Sequence, residues 1–415
     1  MPAAPITVVL LIDHAFVSGG AAKVAFDGAR ALKKRGHRPI IFAAAGPVDG
    51  ALAADGIEVV CLDQFDILTN PSRAQAAVQG LWNRAAAARL ATLLAGLIGT
   101  RSVVHMHGWA KALSPSLAGV IARSGLSACY TLHEYFLFCP NGGFYNFNTE
   151  KICPLEPMSM ACLTTNCDSR SYAQKLWRSA RQFTMQRIAR LPDVFTDYIL
   201  ITDFQADIVG ARLPAGARSH RISNPIEADN LGPKGAPASG DFLFAGRIAR
   251  EKGPLLFAEA ARRAGVTPVF AGDGPQAAEL AQKYPEARLL GWRSSAQIRA
   301  DLRAARALVF PSLWYEGQPL VVMEAKALAT PSIVSDTCAA REEIEDGVAG
   351  LWFKNGDADA LAGAITRLRD DALVGALSAG AHRSFWADPP TPERHGERLE
   401  ALYDEMIARR AKTAA

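Results

Sequence analysis

No stretch of this 415-residue chain is apolar for long enough to cross a bilayer as a helix. The most apolar later run, Leu90 to Thr100, lies between Arg89 and Arg101, well short of the roughly 20 residues a span requires. A basic leader is missing too. The first apolar run, Ile6 to Ile12, ends at Asp13 and His14 and reads as a core strand rather than a secretion signal. An excess of one charge is also lacking: 45 Lys and Arg against 41 Asp and Glu leave +4, too little over this length to predict a nucleic-acid partner. The seven cysteines are an odd number at irregular spacings. They imply a reducing cytoplasm, not a disulfide framework. With 49% hydrophobic and 21% charged residues, a disordered or fibrous chain is excluded.

What is present is a βα rhythm. Short apolar runs at Thr7–Ile12, Pro39–Ala43, Ile57–Leu62, Ser102–Met106, Ala128–Leu132 and Tyr198–Ile201 alternate with Ala/Leu-rich helical stretches. A second series follows at Phe242–Ala245, Thr267–Phe270, Arg288–Leu290, Ala307–Phe310, Ser332–Val334 and Gly350–Phe353. Near-continuous rather than alternating hydrophobicity marks parallel strands covered on both faces. The Gly- and Pro-rich run Asn224–Gly240 has linker composition. It divides the chain into two doubly wound α/β domains, 1–223 and 224–395, with a last segment 396–415. Gln64–Ala76 and an insert at about 138–168 fit neither pattern.

In such sheets ligands bind at the carboxyl ends of the strands, so motifs on βα loops carry the chemistry. Gly19-Gly20 opens the first helix; a bare tight turn or an anion site would both use it. Arg247 and Lys252 flank a turn after strand Phe242–Ala245. They could converge on a diphosphate or bridge to Glu251. In the run Ser312-Leu313-Trp314-Tyr315-Glu316-Gly317-Gln318-Pro319-Leu320-Val321, Pro319 suits a helix's first turn. It would leave the N–H groups of Leu320 and Val321 open to a phosphate. Glu324 lies about 7.5 Å further along that helix, in apolar sequence where a carboxylate needs a ligand or a buried Arg partner.

Glu316-x7-Glu324, the Gly246-Arg247-x4-Lys252-Gly253 loop, Ala271-Gly272-Asp273-Gly274-Pro275 and Leu290-Gly291-Trp292 together resemble glycosyltransferase family four. So do Gly19-Gly20, the strand end His105-Met106-His107-Gly108 and Thr131-Leu132-His133-Glu134-Tyr135. The resemblance spans nearly the whole chain. It implies the GT-B fold, two Rossmann-like domains facing across a cleft, with a last helix that returns to the first domain. It further implies retaining transfer from a nucleotide-diphospho-sugar, with no cofactor and no divalent metal. Arg247 and Lys252 would hold the diphosphate, helped by Leu320 and Val321. Glu324 would bind the ribose and Glu316 the sugar. Gly19 and Gly20 would approach the sugar and phosphate, Gly291 would contact the base, and His133 would line the reaction centre. His105 and His107 are expected to be structural, and His14, His37, His220, His382 and His395 carry no supporting context. Gln318-Pro319 replaces the family's frequent aromatic and glycine, which bears on the donor sugar. The metal motif Asp-x-Asp occurs only as Asp357-Ala358-Asp359, on a late loop.

The expected acceptor is a glycan or lipid-linked glycan of cell-surface polysaccharide or lipopolysaccharide synthesis. A nucleotide-sugar epimerase and a non-catalytic GT-B binding protein are the alternatives. The stretch 170–190 carries Arg170, Lys175, Arg178, Arg181, Arg187 and Arg190 without an acid. It would seat a cytoplasmic protein on the anionic inner face of the membrane or form a solvated face over a core stripe. Cys139, Cys153, Cys162 and Cys167 crowd the insert; structural zinc, buried free thiols and disulfides all remain open.

Overall fold

The computed structural model describes residues 4–234 and 240–414. All twelve anticipated strands are present. The first sheet contains β1 Thr7–His14, β2 Arg38–Ala45, β3 Glu58–Gln64, β4 Ser102–Met106, β5 Ser127–Leu132, β6 Asp197–Leu200 and β7 Arg218–Arg221. Its order is β3-β2-β1-β4-β5-β6-β7, parallel throughout. The second contains β8 Phe242–Ala245, β9 Pro268–Ala271, β10 Arg288–Gly291, β11 Ala307–Phe310, β12 Ser332–Ser335 and β13 Gly350–Phe353. It repeats the pattern as β10-β9-β8-β11-β12-β13. Within the two parallel sheets β7 alone was not anticipated among the described residues, because its sequence Arg-Ser-His-Arg is that of an edge strand with no buried face.

Both sheets are covered on both faces, as their apolar strands demand. Val9, Leu11 and Val104 enter one core, and Val8, Leu10 and Val103 the opposite one. The second sheet is likewise divided. From 224 to 234 the chain has neither helix nor strand; 235–239, within the expected linker, lie outside the described residues.

The last helix runs Pro392–Ala414, starting before the anticipated 396. Leu399, Leu402, Tyr403 and Met406 complete the core around Phe26 of the first domain. Arg35–Glu400 at 2.5 Å and Arg409–Asp197 fix it from both sides.

Candidate active site

In both sheets the strand order reverses beside the first strand, between β1 and β4 and between β8 and β11. Loops leave these switch points in opposite directions and open a crevice there. Between them lies a cleft of about 550 Å³, lined by Gly19, Gly20, His133, Arg247, Lys252, Glu316, Leu320 and Val321 among others.

Two helix starts meet across this cleft. Helix Gly20–Lys34 begins at Gly20, whose Cβ, if it had one, would lie 3.7 Å from Leu320 Cδ1. Leu320 is the first residue of helix Leu320–Ala327 from the other domain. Pro319 is the N-cap of that helix, not part of its first turn as anticipated. The first N–H taken up is that of Val322, donated to Pro319 O at 3.0 Å, so the preceding donors stay free for a ligand. Each helix start carries about half a positive charge. A Cβ on Gly19 would meet nothing within 4 Å, so the protein's own packing does not require a glycine there.

Lys252 pairs with Glu316, not with Glu251. Its Nζ lies 2.7 and 2.8 Å from the two carboxylate oxygens, and Ser312 Oγ donates to Oε1 at 2.5 Å. Glu251 is buried, and its carbonyl accepts from Leu313 N at 2.8 Å. Lys252 also lies over the Trp314 ring, 5.4 Å from the centroid. Gly253 makes this turn possible: at φ 66° a Cβ would fall 2.2 Å from Pro311 O. Arg247 is exposed in the cleft and, among the described residues, has no ion-pair partner.

Gln318 lines the cleft and bonds to both sides of it. Its Oε1 accepts from Asn224 N at 2.8 Å and its Nε2 donates to Glu343 at 2.7 Å, fastening the linker to the second domain. Glu324 and Gly291 stand off the cavity lining. Glu324 is half-buried, with no ion-pair partner among the described residues, and burial pushes its carboxyl up while Lys23 and Arg299 oppose this. The anticipated buried Arg partner is thus not in contact. Gly291 closes β10 with φ 67°, its carbonyl accepting from Gly272 N at 2.8 Å.

His133 Nε2 lies 2.9 Å from His107 Nδ1. Burial pushes His133 down to about 3, with His395 adding to the effect, so the ring is neutral and serves as a hydrogen-bonding group. His105 is structural, held by Tyr403 OH and Thr131 Oγ1 at 2.7 Å each. His107 and His14 line the cleft. His14 bonds Asp66 and Ser18 at 2.9 and 3.0 Å. Their positions at the ends of β4 and β1, beside the switch point, were the signal that could have identified them. Glu134 and Trp314, also in the lining, sit inside the motifs around His133 and Glu316 but were given no role, and Lys111 lies in no recognisable motif. Asp357 is a helix cap, accepting from Asp359 and Ala360 N–H at 3.0 Å each.

The insert is ordered by a core, contrary to its composition. Phe138, Cys139 and Phe144 join the first-domain cluster, and a two-residue hairpin pairs Tyr145–Asn146 with Lys151–Ile152. Asn141 donates to Tyr145 O at 2.6 Å and accepts from Cys139 Sγ at 3.0 Å. All four cysteines are free thiols, and among the described residues no three potential ligands converge on a metal position. The helix Tyr172–Phe183 turns Lys175 and Arg181 inward. Arg178 binds the buried Asp168 at 2.9 Å. The face this helix leaves in solvent carries Leu176 and Phe183, while of the six basic residues of 170–190 Arg170, Arg187 and Arg190 stay exposed.

Residues 239–371 match the family described as glycosyl transferases group 1. An Escherichia coli UDP-Gal:alpha-D-GlcNAc-diphosphoundecaprenol alpha-1,3-galactosyltransferase is 29% identical over 184 residues, 40% of this chain and 46% of the relative. A putative teichuronic acid biosynthesis glycosyltransferase of Bacillus subtilis is 36% identical over 140 residues, 32% of this chain and 33% of the relative. The chain thus spans less than half the length of these curated relatives. The solved structure of Anabaena HepE in complex with UDP superposes with a TM-score of 0.65 at 15% identity, covering 97% of this chain and all of that one. Residues 239–371 thus carry the likeness to the group 1 glycosyl transferases, within a chain whose two parallel sheets adopt the GT-B fold.

Proposed function

We propose that the protein transfers a hexosyl group from a nucleotide-diphospho-sugar to a glycan or lipid-linked glycan, retaining anomeric configuration, in cell-surface polysaccharide or lipopolysaccharide synthesis. The observation that carries this reading is the meeting of two helix starts, Gly20 and Leu320, beside Arg247, which has no ion-pair partner among the described residues. This is a site for a polyanion.

The diphosphate binds Arg247, Lys252 and the N–H groups of Leu320 and Val321. As the bond from the anomeric carbon to the phosphate oxygen breaks, these donors stabilise the charge gathering on the leaving group. The acceptor oxygen bonds to the same face of that carbon, and its proton passes to the departing phosphate oxygen. Glu316 holds the sugar and orients Lys252. Neutral His133 hydrogen-bonds near the reacting centre, with His107 fixing its ring. Glu324 takes the ribose and Gly291 lies against the base. Closure of the domains excludes water. The counter-charge is supplied by side chains, with no divalent metal needed. The working location is cytoplasmic, at the inner face of the membrane.

Incubation with UDP-, GDP- and ADP-sugars, with and without glycan acceptors, tests this. Acceptor-dependent release of the nucleoside diphosphate, unchanged by EDTA, is expected. A changed nucleotide sugar formed without acceptor would establish an epimerase instead.

A further inference from the structure

A second cavity, of about 280 Å³, opens beside the cleft and shares Lys111 with it. Its walls come from the segment 67–77 and the helix Tyr172–Phe183. Arg73, Lys111, Arg170, Arg178 and Arg181 line it, and no acid does. Only Arg178 has a carboxylate in ion-pair contact, Asp168, among the described residues.

Arg181 is the most telling of these. It is 3% exposed, stacked on Trp109, Phe136 and Trp177 with its guanidinium carbon 5.0–5.4 Å from each ring. It donates to Ala110 O at 2.5 Å, while its Nε has no partner. Burial pushes its pKa down to about 10. A buried cation without a contacting counterion costs free energy, and an anion in the adjoining cavity would recover it. Guanidinium forks match phosphate oxygens. The rim is partly apolar: Leu68, at 53% exposure, lines the cavity together with Ile67, Ala76 and Ala77. An inorganic anion alone would leave this rim unused, whereas an alkyl phosphate uses both features.

We propose that this cavity holds the phosphate or diphosphate of a lipid-linked acceptor, its apolar chain leaving over Leu68 and its sugar entering the cleft past Lys111. The inference rests on the transferase reading for the sugar's destination but has a binding readout of its own. Decyl diphosphate would be titrated calorimetrically into protein saturated with UDP, so that the donor cleft is filled. Submicromolar to micromolar binding is expected, at least tenfold weaker in the Arg73→Gln/Arg170→Gln variant, whose substitutions are on the surface, and weaker still in Arg181→Gln if that variant folds. UDP affinity should remain within twofold. Inorganic diphosphate should bind at least tenfold more weakly than the decyl ester. Equal affinity of the double variant and wild type for decyl diphosphate would overturn the proposal, as would binding only to anionic phospholipid vesicles. Failure of UDP to bind wild type would count against the transferase reading alone, because decyl diphosphate binding is then read without it.

Discussion

At the scale of single residues, Lys252 and Glu316 neutralise one another in the open cleft, which leaves Arg247 as its uncompensated cation on the second-domain side. A diphosphate must therefore recruit Lys252 while Glu316 stays bonded to Ser312. Arg247→Ala should reduce kcat/KM by at least about 30-fold, or ~2 kcal/mol of transition-state stabilisation. Steady-state kinetics within twofold of wild type would refute its role. The two carboxylates should separate by function. Glu324→Gln should weaken binding of the free nucleoside diphosphate, whereas Glu316→Gln, which leaves Lys252 without its counter-charge, should preserve that binding and impair turnover by about 100-fold. Titration of both variants with nucleoside diphosphate and with donor distinguishes these outcomes. Equal affinities would contradict the division.

At the scale of elements, periodicity revealed every strand of the two parallel sheets that has a buried face, because continuous apolar runs have few alternatives in a parallel sheet. It failed where burial is not hydrophobic. β7 buries little of its polar sequence, and helix Tyr172–Phe183 places Lys175 and Arg181 inside because thiols, carbonyls and aromatic rings receive them there. Charge alone cannot reveal such an inversion. The motifs brought five of the anticipated site residues into one loop system around 247–252 and 316–321, yet the Lys252–Glu316 pairing depends on a turn that sequence spacing does not specify. The last helix offers a direct test of element-scale coupling. Tyr403 OH and His105 Nδ1 are 2.7 Å apart with both residues fully buried. Tyr403→Phe should therefore cost about 1–2 kcal/mol of stability while leaving nucleotide affinity unchanged. Urea unfolding checks the first statement and titration the second.

At the scale of the whole molecule, the buried His105, His107 and His395 and the half-buried His133 are held neutral. Burial drives His105 and His107 well below the ordinary range, His133 to about 3 and His395 to about 4. The unfolded chain takes up protons near pH 6.5 that the folded chain refuses, so stability is full above that pH and is lost as pH falls toward the folded values. His395 alone should contribute a loss of about 1.4 kcal/mol per pH unit below 6.5. The urea midpoint should drop between pH 7.5 and 5.5, and the drop should shrink in His395→Gln; a pH-independent midpoint would contradict the burial of these rings. The two domains also touch at the loop around Glu316. Tyr135 OH donates to Glu316 O at 2.8 Å, and Thr202 Oγ1 to Gly317 O at 3.3 Å. A Cβ on Gly317 would lie 2.8 Å from His133 O, closer than side chains approach a backbone carbonyl, so only glycine permits the two loops to meet. Gly317→Ala should push the Glu316 loop away from His133 by a few tenths of an ångström, enough to disturb a site whose chemistry depends on position. The free second domain keeps Arg247, Leu320 and Val321 in place, so nucleoside diphosphate affinity should stay within about threefold while kcat falls at least tenfold. If kcat and affinity instead fell together, the contact would be a support for donor binding rather than for the closed arrangement of the two domains.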